Sequence, residues 1–327
     1  MCFTYPITPR GRVVGELPKV LAIVGPTAVG KTAVGIRVAK ELNGEIVSAD
    51  ARQLYRGMNV GTAKPSIEEL QSVPYHLIDI VELGEYFSAG IYAEMGHKVI
   101  LDLISRGKLP IIVGGSGLYF RALVDGLFTG ESRSDEVRES LSAEVKNSGL
   151  EAMYEKLLKI DADYAKLISP NDEMRITRAL EVYEITGKTL SESFSNQPEE
   201  PLLNSLIIGL RMERKLLISR IKERVEKMIA SGLVDEVKQL LEAGYREDMQ
   251  KIPTIGYNEV INYLDGKIDE SRMIIDIKVN SRRYAKRQMT WFKKDERIVW
   301  IDMELEKNAA EVVIAAWRDF ISDRKSR

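Results

Sequence analysis

The sequence has very little cysteine and histidine. Its 327 residues include one cysteine, Cys2, and two histidines, His76 and His97. A single thiol excludes an intrachain disulfide framework and is typical of a reducing compartment. With so few soft ligands, a zinc site is not expected. Any metal should be a hard cation such as Mg²⁺, bound through oxygen atoms and phosphates.

Long apolar runs and a strong net charge are also missing. No segment approaches the roughly 20 apolar residues that a membrane-spanning helix needs. The N-terminal stretch "MCFTYPITPRGRVVGELPK" has no apolar core typical of a signal peptide. We therefore expect a cytoplasmic protein with no membrane partner. The formal net charge is -2, so nucleic acid would have to bind a local basic patch rather than respond to a global field.

The apolar pattern favours an α/β fold. Short runs of continuous apolar character are typical of strands covered on both faces of a parallel sheet, and segments with helical periodicity lie between them. The pattern predicts a P-loop NTPase-like core whose parallel β-sheet is flanked by helices, plus a mostly helical insertion domain. The predicted strands lie at 20–24, 44–50, 75–82, 109–113 and 203–210.

A change of pattern after residue 127 predicts the domain organisation. Residues 128–199 are rich in charge, have helical periodicity and contain no convincing strand, so they are predicted to form the insertion domain. The catalytic core would then comprise 18–127 and 200–300, with basic helices near its end. Residues 301–327 are predicted to be a C-terminal helix or tail.

A phosphate-binding loop is the clearest motif. "GPTAVGKT" fits G-x-x-x-x-G-K-[ST] between a predicted strand and a predicted helix. Its glycines let backbone N–H groups converge on phosphate oxygens, Lys31 adds a positive charge, and the hydroxyl of Thr32 would hold Mg²⁺. The predicted cradle comprises Gly25, Pro26, Thr27, Ala28, Val29, Gly30, Lys31 and Thr32.

The acid that usually accompanies such a loop is missing from its expected place. The strand "PIIVGG" ends in glycines and Ser116 instead of an aspartate. Asp50, at the end of "EIVSAD", is the best-placed carboxylate. It could act on a metal, accept a proton from an incoming nucleophile, or cap a turn. The loop alone predicts phosphate binding and leaves the reaction open.

Basic residues are concentrated near the C-terminus. "SRRYAKRQMTWFKK", residues 281–294, has six Lys and Arg residues and no acid. At i,i+4 spacing these form two basic rows on a helix, which suits a polyanionic backbone but also an ordinary solvated face. Arg220 and Arg224 have the same spacing. They could bind a diphosphate or form salt bridges with Glu223 or Glu226.

Six stretches together resemble the tRNA dimethylallyltransferases. They occur in that family's order between residues 20 and 295, and only the first is a generic motif. The stretches are "GPTAVGKT", "SADARQLYRGMNVGTAKP", "VGGSGLYFRAL", "NDEMRITRALEVYEITGKTLSE", "TIGYNEV" and "RRYAKRQMTWF".

The resemblance implies transfer of a dimethylallyl group from dimethylallyl diphosphate to N6 of adenosine 37 of tRNA, with diphosphate released. It also implies Mg²⁺, a monomer, and binding of the tRNA anticodon stem-loop with the target base flipped out. Three other hypotheses stay open. They are an adenylate isopentenyltransferase acting on free AMP or ATP, a P-loop small-molecule kinase, and a non-enzymatic RNA-binding switch.

The resemblance also implies residue roles. Asp50 corresponds to the general base, and Ser116 stands where the family usually has threonine. Arg224, with Arg220 beside it, corresponds to a diphosphate contact, and Lys31 and Thr32 would stabilise the leaving group. The implied tRNA contacts are Asp50, Ala51, Arg52, Gln53, Ser116, Arg138, Met174, Arg175, Ile176, Thr177, Arg178, Thr254, Gly256, Tyr257, Ser281, Arg282, Arg283, Tyr284, Ala285, Lys286, Arg287 and Gln288.

Overall fold

A six-stranded parallel sheet organises the protein. The computed structural model describes residues 17–126, 134–195, 201–306 and 308–322. The strand order is β3-β2-β4-β1-β5-β6, and every neighbouring pair is parallel. The strands are β1 (Lys19–Val24), β2 (Gly44–Ala49), β3 (Tyr75–His76), β4 (Leu109–Gly114), β5 (Asn204–Arg211) and β6 (Val299–Asp302).

Helices cover both faces of this sheet. The side chains of β1 alternate between two cores, with Val20 and Ala22 in one and Leu21 and Ile23 in the other. Burial on both faces explains why the central strands are continuously apolar rather than alternating. The helices are α1 (Lys31–Glu41), α2 (Ile67–Ser72), α3 (Ala89–Ser105), α4 (Gly117–Val124), α5 (Asp135–Ile160), α6 (Ala162–Leu167), α7 (Glu173–Thr186), α8 (Leu190–Ser195), α9 (Arg214–Ala230), α10 (Leu233–Glu242), α11 (Arg246–Lys251), α12 (Tyr257–Leu264), α13 (Glu270–Phe292) and α14 (Ala309–Ser322).

The chain divides into two compact units. The sheet and its helices form one, and the other spans Gly126–Glu200, close to the predicted 128–199. The described part of this second unit contains α5 to α8 and no strand. It has its own apolar core, which includes Leu141, Leu157 and Leu180. Helix α5 is interrupted at Gly149, whose φ is 82°.

Two segments differ from the prediction. The strand predicted over 75–82 pairs with β2 only at Tyr75 and His76. Leu77 and Asp79 have φ values of 61° and 54°, which is incompatible with an extended strand. Conversely, β6 was not anticipated. It pairs with β5 at the edge of the sheet, so the segment 301–327 does not begin as a helix or tail.

The topology places three predicted site segments at one edge of the sheet. The phosphate loop follows β1, Asp50 follows β2, and the Gly115–Ser116 turn follows β4. Since the three strands are parallel and adjacent, their carboxyl ends lie side by side, which is where α/β sheets generally bind ligands. None of the described helices combines the length and apolarity needed to cross a membrane.

Candidate active site

The phosphate loop has a conformation that requires glycine. Gly25 has a φ of 148°, and a Cβ there would lie 2.5 Å from the carbonyl oxygen of Leu210. Gly30 has a φ of 111° and directly precedes α1. The loop therefore ends at the N-terminus of α1, where Lys31 and Thr32 begin the first turn and the helix dipole favours an anion.

The Lys31 ammonium lies within the loop. Its Nζ donates to the carbonyl oxygens of Gly25 (3.0 Å) and Pro26 (2.8 Å). Burial and, to a smaller extent, the charge of Arg224 lower the pKa of Lys31 to about 7, while the charge of Asp50 opposes the shift. Without an anionic ligand, the positive charges at this site are thus incompletely compensated.

We predict that this shifted pKa makes diphosphate binding depend on pH. Bound diphosphate favours the charged ammonium and so raises its pKa, and the protein should take up a proton on binding between about pH 7 and the higher pKa of the complex. Below that value Lys31 is already protonated and contributes no pH dependence. The contribution of Lys31 to diphosphate affinity should therefore fall, by up to about tenfold per pH unit, as pH rises above 7.

Calorimetric titration of inorganic diphosphate in buffers of different ionisation enthalpy would measure this uptake. Lys31→Met is the control, because the ligand's own ionisation affects both proteins equally. Identical proton uptake by the two proteins would contradict the prediction.

Asp50 both caps a turn and faces the cavity described below. Its Oδ1 accepts the backbone N–H groups of Arg52 (2.9 Å) and Gln53 (3.4 Å). Among the described residues, no group donates to Oδ2. The turn-capping role and a chemical role are therefore compatible, because each can use a different oxygen.

Ser116 connects the turn after β4 to the end of β2. Its Oγ accepts the N–H of Ala51 at 2.9 Å, and its own N–H donates to the carbonyl oxygen of Ala49 at 3.1 Å. Burial, then the nearby charge of Asp50, raises the pKa of Tyr284 to about 12, so that side chain stays a neutral hydroxyl. Ser116 thus holds the backbone next to Asp50 in place through the Ala51 N–H.

The two arginines of α9 face the phosphate loop and its surroundings. Arg220 Nη1 donates to the carbonyl oxygen of Val29 at 3.3 Å, and Arg224 Nη2 to that of Thr62 at 3.4 Å. Burial lowers the pKa of Arg224, and the negative charge of Asp50 opposes that shift. The nearby acids have other partners: Glu223 accepts from Ser219 and Glu226 pairs with Lys278. Local salt bridges therefore do not account for these arginines.

Lys31, Asp50 and Arg224 line a cavity of about 330 Å³. This volume suits a small organic molecule. The polar residues of its lining include Thr27, Lys31, Thr32, Ser48, Asp50, Arg52, Gln53, Thr254, Arg224, Ser281, Tyr284 and Arg287. Its apolar or aromatic residues include Tyr75, Val113, Ile221, Val225, Met228, Ile255 and Ile277. The lining thus offers cationic groups for an anion and apolar surface for a hydrocarbon group.

The second half of α13 presents an exposed basic face. Arg282, Arg283, Lys286 and Arg287 are all exposed. Within the described ranges none of these four residues pairs with an acid, unlike most arginines elsewhere, for example Arg37 with Glu311. The guanidinium of Arg287 lies 5.8 Å from the centre of the Tyr284 ring. An uncompensated cationic surface thus borders the cavity.

Several predicted tRNA contacts are not on the surface. The side chains of Ile176, Tyr257 and Ala285 are packed in apolar cores, and Gln288 is buried against the phosphate loop. A macromolecule cannot reach the first three of these side chains, so those three assignments are wrong as side-chain contacts. Gln288 lines the cavity, and its assignment stays a prediction. The buried residues lie in the same stretches as exposed residues because one side of an amphipathic helix faces the core while the opposite side faces solvent.

Two further predicted tRNA contacts, Arg138 and Arg178, form ion pairs within the helical unit. Glu181, which is buried, accepts from Arg138 Nε at 2.7 Å and from Arg178 Nη1 at 2.7 Å. Both guanidinium groups remain partly exposed. In the same unit, Met174 and Arg175 are exposed at the start of α7, and Thr177 is half-buried.

Sequence reasoning missed residues that hold the loops around the cavity in place. Glu236 on α10 accepts the backbone N–H groups of Asn59, Val60 and Gly61 as well as the Tyr257 hydroxyl. The loop that it holds supplies the Thr62 carbonyl, which accepts from both Arg224 and Gln53. Position 236 carries no motif that could have revealed this role.

Similarity to known proteins agrees with this arrangement. The family model described as IPP transferase matches residues 53–295. The chain is 45% identical over 299 residues to a tRNA dimethylallyltransferase from Halalkalibacterium halodurans, covering 90% of this chain and 95% of the relative. It is also 45% identical over 287 residues to one from Syntrophomonas wolfei, covering 87% and 92%.

Solved structures are similar over most of the chain. The full-length tRNA isopentenylpyrophosphate transferase from Bacillus halodurans has a TM-score of 0.69 and 41% identity, covering 94% of this chain and 98% of that one. A eukaryotic dimethylallyltransferase solved acting on tRNA has a TM-score of 0.80 and 29% identity, covering 93% and 80%. With a family model spanning most of its length and relatives this similar, the chain belongs to the IPP transferase family.

Proposed function

We propose that this protein transfers a dimethylallyl group from dimethylallyl diphosphate to N6 of adenosine 37 in tRNA, releasing diphosphate. The observation that carries the proposal is the composition of one cavity. It combines a phosphate loop, a carboxylate oxygen to which none of the described residues donates, and apolar lining residues, and it lies beside an exposed basic helix. The names of the relatives support the same reaction.

The phosphate loop would hold the leaving group. In the reaction, the N6 lone pair forms a bond to C1 of the allyl group while the C1–O bond breaks, and diphosphate departs with that electron pair. Lys31 and Arg224 lie where this negative charge would grow. Their partly desolvated positive charges would stabilise it more strongly than water does. The apolar lining residues would hold the five-carbon chain.

Asp50 would accept the proton that N6 loses. Its Oδ1 is fixed by the turn, and Oδ2 is left to accept from the amine. The carboxylate needs no reorientation before the transfer, because the Arg52 and Gln53 amides already set its plane. Ser116, which accepts the Ala51 N–H, and Tyr284, which lies near Asp50, would help to hold this geometry.

The site also fits Mg²⁺ carried by the diphosphate. Thr32 and Asp50 offer hard oxygen donors in the same cavity, whereas the described residues contain no cluster of three His, Cys, Asp or Glu side chains. One or two protein oxygens completed by phosphate oxygens and water is the usual way that Mg²⁺ is bound. Thr32 would hold the ion, which would neutralise charge on the diphosphate.

The RNA would contact the exposed basic face of α13 and, in the helical unit, the exposed Met174 and Arg175 and the half-buried Thr177. We propose that the anticodon stem-loop occupies these surfaces, with adenosine flipped into the cavity because N6 must meet C1 in line with the leaving oxygen. We further propose that the protein acts as a monomer.

The alternative acceptors are less well supported. A free nucleotide does not need the uncompensated cations on α13. A kinase would ordinarily have a carboxylate after the strand beside the phosphate loop, yet β4 is followed by Gly115 and Ser116.

Incubation with labelled dimethylallyl diphosphate and either unmodified tRNA or AMP would test the proposal. Label should appear on tRNA and not on AMP. Label on AMP alone, or release of γ-phosphate from ATP in place of allyl transfer, would overturn it.

Neutralising the basic face should weaken RNA binding in a salt-dependent way. For Arg283→Gln combined with Arg287→Gln, the slope of log affinity against log salt should fall by about one for each lost phosphate contact. Filter binding of tRNA over a salt series measures this slope.

Arg272→Gln is the matched control for that experiment. Arg272 is exposed on the same helix but pairs with Asp276 at 2.9 Å, so its loss should leave the slope unchanged. Equal slopes for the double variant and the unmodified protein would remove α13 from the RNA interface.

A further inference from the structure

Gln288 joins the phosphate loop to the turn after β4. Its Oε1 accepts the backbone N–H of Thr27 at 2.8 Å, and its Nε2 donates to the carbonyl oxygen of Gly115 at 2.9 Å. The side chain is 6% exposed. The oxygen of this amide thus bonds to one loop and its nitrogen to another, and both loops are distant from Gln288 in sequence.

The close approach is built into the turn. A Cβ on Gly115 would lie 2.3 Å from Gln288 Nε2, and one on Gly117 would lie 2.2 Å from Trp291 Cδ1. Such distances leave no room for a side chain, so the glycines allow α13 to contact the turn directly. The contact is therefore a specific feature of both segments.

The connection continues to Asp50. Gly115 is followed by Ser116, whose Oγ accepts the N–H of Ala51, the neighbour of Asp50. A continuous path of hydrogen bonds and single peptide units runs from Thr27 through Gln288 and Ser116 to the carboxylate. Its first end lies in the diphosphate cradle and its last end is the proposed base.

We propose that Gln288 is a positioning residue that sets the distance between the diphosphate cradle and Asp50, and so aligns the leaving group with the base. This inference rests on the proposed function. It assigns α13 two tasks. Its exposed cations, such as Arg283, are available to RNA, and its buried Gln288 joins the two loops.

The first test uses Gln288→Met, which keeps the length of the side chain and removes both hydrogen bonds. With saturating tRNA, kcat for dimethylallyl transfer should fall by roughly 10- to 100-fold, because small misplacements of reacting groups cost that much. Affinity for tRNA should stay within about twofold, since the exposed cations are intact. Thr290→Val, on the same helix, is the control and should match the unmodified protein.

The second test uses Gln288→Glu. Its carboxylate would face the Gly115 carbonyl oxygen, and burial beside that oxygen should raise its pKa. The protonated acid can donate to Gly115 and accept from Thr27 as glutamine does. The activity of this variant relative to the unmodified protein should therefore rise as pH falls from about 8 to about 6. A purely structural role would give a constant ratio.

Unchanged kcat in Gln288→Met would overturn the inference, as would a loss of tRNA affinity with normal kcat at saturation. A lowered melting temperature with normal kcat per folded molecule would likewise overturn it. Titration of inorganic diphosphate separates failure of this inference from failure of the proposed function. Weaker diphosphate binding by Gln288→Met supports the inference even if the unmodified protein transfers no allyl group, and unchanged binding argues against it.

Discussion

Asp50→Asn should lower kcat by roughly 10²- to 10⁴-fold while tRNA affinity stays close to that of the unmodified protein. Asparagine keeps an Oδ1 that can accept from the Arg52 and Gln53 amides, so the turn is preserved. Its amide cannot take the proton that leaves N6. The loss should therefore fall on the chemical step, and single-turnover rates with bound tRNA would measure it.

Asp50→Ala provides the comparison. Alanine removes the turn cap as well as the base, so its melting temperature should fall while that of Asp50→Asn does not. If Asp50 were only a turn residue, Asp50→Asn would turn over normally. Equal losses of turnover and tRNA affinity in Asp50→Asn would also argue against a base.

Arg224→Gln should lower kcat by roughly 10²- to 10³-fold, the usual effect of removing a preorganised group that stabilises developing charge. Arg224 lines the cavity together with Lys31, and its guanidinium is oriented by the Thr62 carbonyl at 3.4 Å. Arg224→Lys should recover only part of the rate, because lysine restores the charge but not the planar fork. Steady-state kinetics with varied dimethylallyl diphosphate would separate kcat from KM.

Lys222→Gln is the matched control, since Lys222 is exposed on the same helix. It should leave both constants unchanged. A rise in KM with normal kcat in Arg224→Gln would mean that the arginine binds substrate and transition state equally, which contradicts the proposed role.

The core of the fold could be predicted because its signals are local. The central strands are continuously apolar since both of their faces are buried, and the phosphate loop is defined by eight consecutive residues. The edge strand β6 escaped prediction for the opposite reason. It has four residues, and Val299 at its start is 52% exposed, so the apolar run that marks it is too short to indicate a strand by itself.

Individual contacts were harder to predict because they depend on which way a helix faces. Within α13, Arg287 is exposed and its neighbour Gln288 is buried, although both belong to one basic stretch. The same holds in α7, where Arg175 is exposed and Ile176 is buried. A resemblance over a stretch cannot distinguish these neighbours.

The sequence by itself determined the parallel α/β core, the phosphate-binding loop and the identity of Asp50 as the best-placed carboxylate. These follow from short motifs whose chemistry and backbone requirements are contained within a few residues. Only the tertiary structure decided how the cradle is joined to that carboxylate. Thr27 and Gln288 are 261 positions apart, and Gln288 and Gly115 are 173 apart. Their hydrogen bonds exist because the sheet and α13 bring distant segments together, and no local pattern records that approach.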